Sequence, residues 1–116
     1  VSGHSKKTTV RRQLGAVLFA DVVGYARLMG NDEIDTYSAL KSLLEELETA
    51  CNAHDGQVVA VRGDGVLALF ETATNAVKFG VELHRIAEQN NSARPEDQQL
   101  RFRAIILPIL KHIILV

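Results

Sequence analysis

The stretch "QVVAVRGDGVLALF", residues 57–70, most constrains how this chain can fold. Two runs of apolar and β-branched residues flank the tripeptide Gly63-Asp64-Gly65. Runs of this kind that are separated by a glycine-bounded turn predict an antiparallel β-hairpin. Gly63 and Gly65 permit the positive φ angles of a tight turn. The predicted hairpin therefore carries one carboxylate, that of Asp64, at its tip.

A second carboxylate ends a predicted strand about forty residues earlier. The run "LGAVLFA", residues 14–20, is wholly apolar and is followed by Asp21. This pattern predicts a strand buried on both faces in the middle of a sheet. The next residues, "VVGYARLM" at 22–29, predict a short helix that ends at Gly30.

Two longer helices and a last strand complete the pattern. Asn31 or Asp32 is suited to cap the first, and Thr72 or Thr74 the second, over about 74–90. The predicted inner face of the first helix consists of Ile34, Tyr37, Leu40, Leu43, Leu44, Leu47, Ala50 and Cys51. That of the second consists of Ala76, Val77, Gly80, Val81, Leu83 and Ala87. The run "LRFRAIIL", residues 100–107, predicts the last strand.

This order of elements predicts an α+β fold. With the short helix included in the first crossover, it is the βαββαβ pattern of a ferredoxin-like sheet that has its helices on one face. The 116 residues suit one domain. We assign residues 1–12 to a basic flexible leader, because they carry four basic side chains and no acid, and residues 13–116 to the domain.

Charge and composition narrow the classes of partner. The net charge is −1, so no nucleic acid partner is expected. The apolar end, residues 104–116, is interrupted by Pro108 and Lys111 and is too short to cross a bilayer, so no membrane span is expected. A single cysteine, Cys51, and a polar start without a signal peptide favour a cytoplasmic setting.

The predicted topology brings the two carboxylates together. The strand that ends at Asp21 and the hairpin of Asp64 should be neighbours, and two carboxylates so close repel each other unless a cation lies between them. Their oxygens suit Mg²⁺ or Mn²⁺. We expect the backbone amides of Val22, Val23, Gly24 and Tyr25, at the start of the short helix, to bind phosphate. The alternative is that Asp21 is only a helix cap and Asp64 only a turn residue.

The motifs "LFADVVGYARLMG", "NDEIDTYSALKSLLEEL" and "GQVVAVRGDGVLALF" resemble class III nucleotidyl cyclases, the adenylate and guanylate cyclase catalytic domains, particularly the bacterial ones. The likeness extends from about Arg11 to Arg103. It implies that Asp21 and Asp64 are catalytic and, with the backbone carbonyl of Val22, bind two divalent ions, Mg²⁺ or Mn²⁺. It also implies conversion of ATP to cyclic AMP and pyrophosphate by attack of the ribose 3′-hydroxyl on the α-phosphorus, with GTP as the alternative substrate.

The sequence departs from the family at the position that often carries a purine-reading lysine, four residues before the hairpin acid. That position is Ala60. Because residues 60, 62 and 64 of a strand share one face, Arg62 is our candidate for nucleotide binding in its place. The alternative is an arginine in a surface salt bridge.

A second departure follows Arg103, where the family's glycine-rich strand and turn is replaced by "AIILPILKHIILV". The tail is either an unusual strand or, as we favour, the result of a changed reading frame. The family's later half, which carries the adenine-binding acid and the transition-state asparagine and arginine, does not follow. We therefore expect an incomplete cyclase domain that is inactive alone and acts as a homodimer or as a heterodimer with a complete cyclase domain. The alternative is a non-catalytic dimerising or regulatory pseudo-cyclase.

Overall fold

A computed structural model describes the backbone of residues 9–115 and the side chains of residues 14–110. The elements, in chain order, are β1 (Thr9–Val22), α1 (Tyr25–Asn31), α2 (Glu33–Ala53), β2 (Gly56–Arg62), β3 (Gly65–Phe70), α3 (Ala73–Asn91), a 3₁₀ turn (Glu96–Gln98) and β4 (Phe102–Leu115). The strands form one sheet in the order β2-β3-β1-β4, and all neighbours are antiparallel. The predicted α+β ferredoxin-like arrangement is confirmed, with β1 beside the hairpin.

The core lies between one face of the sheet and the helices α2 and α3. Alternate residues of β1 are buried there, because successive side chains of a strand point to opposite faces: Ala16, Leu18, Ala20 and Val22. The other face is open, and Phe19 is 43% exposed and Ile105 is 67% exposed. The prediction that residues 14–20 are buried on both faces is therefore wrong. The run is apolar throughout, but helices cover only one of its faces.

The structure shows which of the candidate residues caps each of the two long helices. The Asp32 side chain accepts a hydrogen bond from the Asp35 amide (3.0 Å), and the Thr72 hydroxyl accepts one from the Asn75 amide (3.1 Å). Asp32 and Thr72 are thus the N-caps of α2 and α3. Each satisfies one of the amides that a helix start leaves without a partner.

The predicted inner faces of the helices are only partly right. Leu40, Leu43, Leu47 and Cys51 are buried in α2, but Ile34 is 84% exposed and Tyr37 is also exposed. In α3, the buried stripe is centred on Phe79 and Leu83, and Val77 and Val81 are exposed. At about 100° per residue, Val77 and Phe79 lie on opposite sides of the helix. Spacings of three and four alone did not identify which stripe faces the sheet.

Strands β1 and β4 are longer than predicted. β1 pairs with β4 from Thr9 opposite Leu115 to Val22 opposite Phe102, so residues 9–12 of the assigned leader belong to a strand. Residues 1–8 and 116 of the leader and the tail lie outside the described residues. Pro108 lies in β4, the edge strand of the sheet, where a residue without an amide hydrogen is tolerated. Among the described residues, none of the helices has the length and apolar character needed to cross a bilayer.

Candidate active site

Asp21 and Asp64 line one depression on the open face of the sheet. Its volume is about 300 Å³, and its walls are Phe19, Asp21, Ala60, Arg62, Asp64, Gly65 and Leu67. Three strands contribute to it, β1, β2 and β3, together with the turn between β2 and β3. The structure therefore brings together the two carboxylates and the arginine that the sequence singled out.

The hairpin turn fixes the position of Asp64. Arg62 pairs with Gly65, so the loop consists of two residues, and Gly63 adopts the left-handed conformation with φ 58°. The other predicted glycine, Gly65, does not need a positive φ. Asp64 Oδ2 accepts a hydrogen bond from the Val22 amide (3.0 Å), which ties the turn to the end of β1. Asp64 is thus held against the residue that follows Asp21.

Asp21 has a partner that the sequence did not reveal. It lies opposite Arg103 in the β1–β4 ladder, and Arg103 donates to both carboxylate oxygens, from Nε to Oδ1 (3.0 Å) and from an Nη atom to Oδ2 (3.3 Å). This hydrogen bonding with Asp21, then the charges of Asp21 and Asp64, raise the pKa of Arg103 above its usual value. The guanidinium therefore contacts Asp21, and its charge also interacts with that of Asp64.

Two of the four backbone amides that were predicted to bind phosphate already have hydrogen-bond partners. The Val22 amide already donates to Asp64, and the Val23 amide donates to the Arg101 carbonyl (2.7 Å), so neither is free for a phosphate. Helix α1 begins only at Tyr25, after Gly24 in the left-handed conformation (φ 67°). Its first hydrogen bond runs from the Leu28 amide to the Gly24 carbonyl (3.1 Å). Only the amides of Gly24 and Tyr25 remain candidates at this position.

An irregularity in β2 places Ala60 and Arg62 in the depression. The register between β2 and β3 shifts between Val58 and Ala60, which indicates a bulge. Before it, Val58 packs against the core, and after it, Ala60 and Arg62 line the depression on the open face. The expectation that residues 60, 62 and 64 share one face is confirmed. Ala60 has only a methyl group with which to contact a bound molecule, whereas Arg62 has a positively charged guanidinium group with several hydrogen-bond donors.

The donor set decides what kind of metal site this can be. Within the part of the chain that the structure describes, no three residues of the types His, Cys, Asp and Glu cluster as a metal site. A site with two carboxylates fits Mg²⁺ or Mn²⁺, which bind proteins through one or two carboxylates and complete their shell with water and substrate phosphates. Asp21 and Asp64 therefore fit an ion that is bound together with a polyphosphate.

The chain is similar in sequence to a protein named as an adenylate cyclase. The chain is 41% identical over 104 residues to the protein named "Putative adenylate cyclase 3" from Rhizobium meliloti (strain 1021). The match covers 89% of this chain and 17% of that protein, so the chain spans about a sixth of its relative's length. No protein-family model matches the chain.

Solved structures of adenylate and guanylate cyclases share the fold of this chain. An adenylate/guanylate cyclase/hydrolase from Silicibacter pomeroyi superposes with a TM-score of 0.68 at 31% identity, covering 86% of this chain and 58% of that one. The adenylyl cyclase CyaB from P. aeruginosa superposes with a TM-score of 0.70 at 18% identity, covering 93% and 68%. The second similarity, at this low identity, shows the fold alone.

Proposed function

Because the chain is related in sequence and fold to the class III nucleotidyl cyclase domains, we propose that it supplies the metal-binding part of an adenylate cyclase active site. The observation that carries the proposal is the meeting of Asp21 and Asp64 in one depression, with the Val22 amide joining the two segments. The substrate would be ATP, or alternatively GTP, and the products a cyclic nucleotide and pyrophosphate.

In this proposal the chain's own residues have distinct roles. Asp21, Asp64 and the Val22 carbonyl would hold two divalent ions, Mg²⁺ or Mn²⁺. Such ions, when bound, polarise a hydroxyl and neutralise polyphosphate charge. Arg62, which lines the depression, would face the nucleotide from β2. The amides of Gly24 and Tyr25, at the start of α1, would bind its phosphates. The ribose 3′-hydroxyl would lose its proton to water, and its oxygen would bond to the α-phosphorus as the bond to the bridging oxygen breaks and pyrophosphate leaves.

The open position of the depression supports a dimer. It lies on the sheet face that none of the described helices covers, so a second domain can close it and exclude water. We propose a homodimer or a heterodimer with a complete cyclase domain, in the cytoplasm, where ATP is available. One similar structure, from Blastocladiella emersonii, is described as a non-canonical dimeric guanylyl cyclase domain.

Metal binding tests the proposal. Free Mn²⁺ is measured by electron paramagnetic resonance during titration of the chain, with Asp21→Asn and Asp64→Asn as site variants. Asp55→Asn is the matched control, because Asp55 lies in another turn, with φ 58°, and asparagine tolerates that conformation. The site variants should lose Mn²⁺ binding and the control should retain it. Equal binding by all four proteins would contradict the proposal.

A second candidate function is a non-catalytic regulatory module with the cyclase fold. Two observations favour it: Ala60 has no hydrogen-bonding side chain at the position of the family's purine-reading lysine, and Arg103 occupies both oxygens of Asp21. Such a module would dimerise with a cyclase domain and change its activity without contributing carboxylates. Retained activity of that dimer after Asp21→Asn would favour this candidate.

A further inference from the structure

Arg103 forms a bidentate ion pair with Asp21, the residue that the proposed function requires as a metal ligand. We propose that Arg103 is an internal cation that competes with the divalent ion for Asp21, so that metal binding and release of Arg103 are one coupled step. The inference rests on the proposed function, because it takes Asp21 to be a metal ligand. It makes Arg103 a positioning residue that sets how much metal the site needs.

The geometry supports competition. Arg103 contacts both oxygens of Asp21, at 3.0 Å and 3.3 Å, so the lone pairs that face the guanidinium are already used. A divalent ion that binds Asp21 also meets the repulsion of a positive charge a few ångströms away. Asp64 is held differently, by the neutral Val22 amide, which leaves its negative charge uncompensated by that contact. Of the two acids, Asp21 is thus the one whose direct contact with Arg103 a metal ion must displace.

Exposure makes the exchange reversible. The Arg103 side chain is 68% exposed, so it can turn into water without leaving a hole in the core, whereas that of Asp21 is 27% exposed. Exposed ion pairs contribute little to stability, because water and salt screen them. Arg103 should therefore weaken metal binding without abolishing it.

Metal titration of arginine variants tests the competition. Arg103→Gln removes the cation and should raise Mn²⁺ affinity about fivefold, the size of effect that an exposed ion pair supports. Arg103→Lys keeps the charge but loses the two-pronged contact, so its affinity should lie between those of the original protein and Arg103→Gln.

The matched control is Arg101→Gln. Arg101 lies two residues before Arg103, and its side chain donates a hydrogen bond to Gln99 Oε1 (2.7 Å) rather than to either acid. Its backbone carbonyl, which accepts from Val23, is unchanged by the substitution. Mn²⁺ affinity should stay within about twofold of the original, since distant exposed charges are screened.

A second readout follows Arg103 itself. The Nε–H resonance of Arg103 should move as Mg²⁺ is added, in proportion to saturation, toward the position that Asp21→Asn shows without metal. Equal Mn²⁺ affinity of Arg103→Gln and the original protein, an equal rise in Arg101→Gln, or a resonance that stays in place would each overturn the competition while leaving the metal site intact. Absence of Mn²⁺ binding in both the original and Arg103→Gln would overturn the proposed function, and the competition with it.

Discussion

The Val22 amide donates a hydrogen bond to Asp64 Oδ2 at 3.0 Å, across 42 positions of sequence. This contact joins the end of a central strand to the tip of the neighbouring hairpin. Because the donor is a backbone amide, the contact holds Asp64 beside Asp21 without adding a positive charge. The proposed site therefore has one acid anchored by the backbone and one paired with an arginine.

Asp64 substitutions should separate metal binding from folding. Asp64→Asn keeps an oxygen that can accept from Val22, whereas Asp64→Ala leaves that partly buried amide without a partner and should cost about 1–2 kcal/mol of unfolding free energy. Both should lose Mn²⁺. Urea unfolding and Mn²⁺ titration of the two variants check this. Equal stability of the two would show that the Val22 contact does not stabilise the hairpin.

Asn91 should control where β4 begins. Its buried side chain donates to the Leu100 carbonyl and accepts from the Leu100 amide, both at 2.8 Å, just before the strand that carries Arg103. Asn91→Ala leaves both groups of Leu100 unsatisfied and should lower the unfolding free energy by about 2–4 kcal/mol. Asn90→Ala, on the more exposed side of α3, is the control and should cost less than about 1 kcal/mol. Similar urea midpoints for the two variants would contradict this account.

Gly56 should tolerate no side chain. A Cβ at this position would lie 2.3 Å from Phe70 Cε1 and 2.8 Å from Cys51 Sγ, both in the core. Gly56→Ala should therefore destabilise the fold by about 1–3 kcal/mol, the usual cost of overpacking. Gly30→Ala, in α1 with no atom within 4 Å of its Cβ, should instead be neutral or stabilising by up to about 1 kcal/mol. The midpoints of thermal unfolding of both variants measure whether contacts of a Cβ at position 56 with Phe70 and Cys51 destabilise the fold.

Cys51 should be unreactive until the protein unfolds. Burial, then the charge of Glu48, raises the pKa of its thiol to about 11. A pKa raised by folding stabilises the folded state fully below the unfolded value of 9.0, and that contribution is lost as the pH rises toward 11. Reaction with a thiol reagent at pH 8 should thus follow unfolding by urea. Rapid modification of the folded protein would contradict the burial of Cys51.

Local sequence patterns predicted the strand and the hairpin that carry the two acids. The glycine-bounded turn predicted the hairpin of Asp64, and the apolar run predicted the strand that delivers Asp21. The order of elements then made these strands neighbours, because the ferredoxin-like topology has few alternatives. The alternation of side chains along a strand likewise predicted correctly that Ala60, Arg62 and Asp64 share one face.

The contacts that were missed depend on long-range register. Nothing near Arg103 in the sequence shows that it lies opposite Asp21, because that pairing depends on where β4 begins after the loop that follows α3. The amides of Val22 and Val23 were wrongly predicted to be free for the same reason. Their partners, the Asp64 side chain and the Arg101 carbonyl, come from segments that are distant in sequence. The exposed face of β1 was mispredicted because its apolar residues do not show which face the helices cover.

Complementation of a cyclase whose own metal-binding acids have been replaced tests directly whether this chain supplies those acids. The chain is mixed with such a complete cyclase domain, and cyclic AMP is measured with ATP and Mn²⁺. We predict activity that is absent from either protein alone and that disappears with Asp21→Asn or Asp64→Asn but not with Asp55→Asn. A mixed dimer that forms but makes no cyclic AMP, while the same partner is active with an intact copy of its own chain, would contradict the claim that this chain supplies the metal-binding acids.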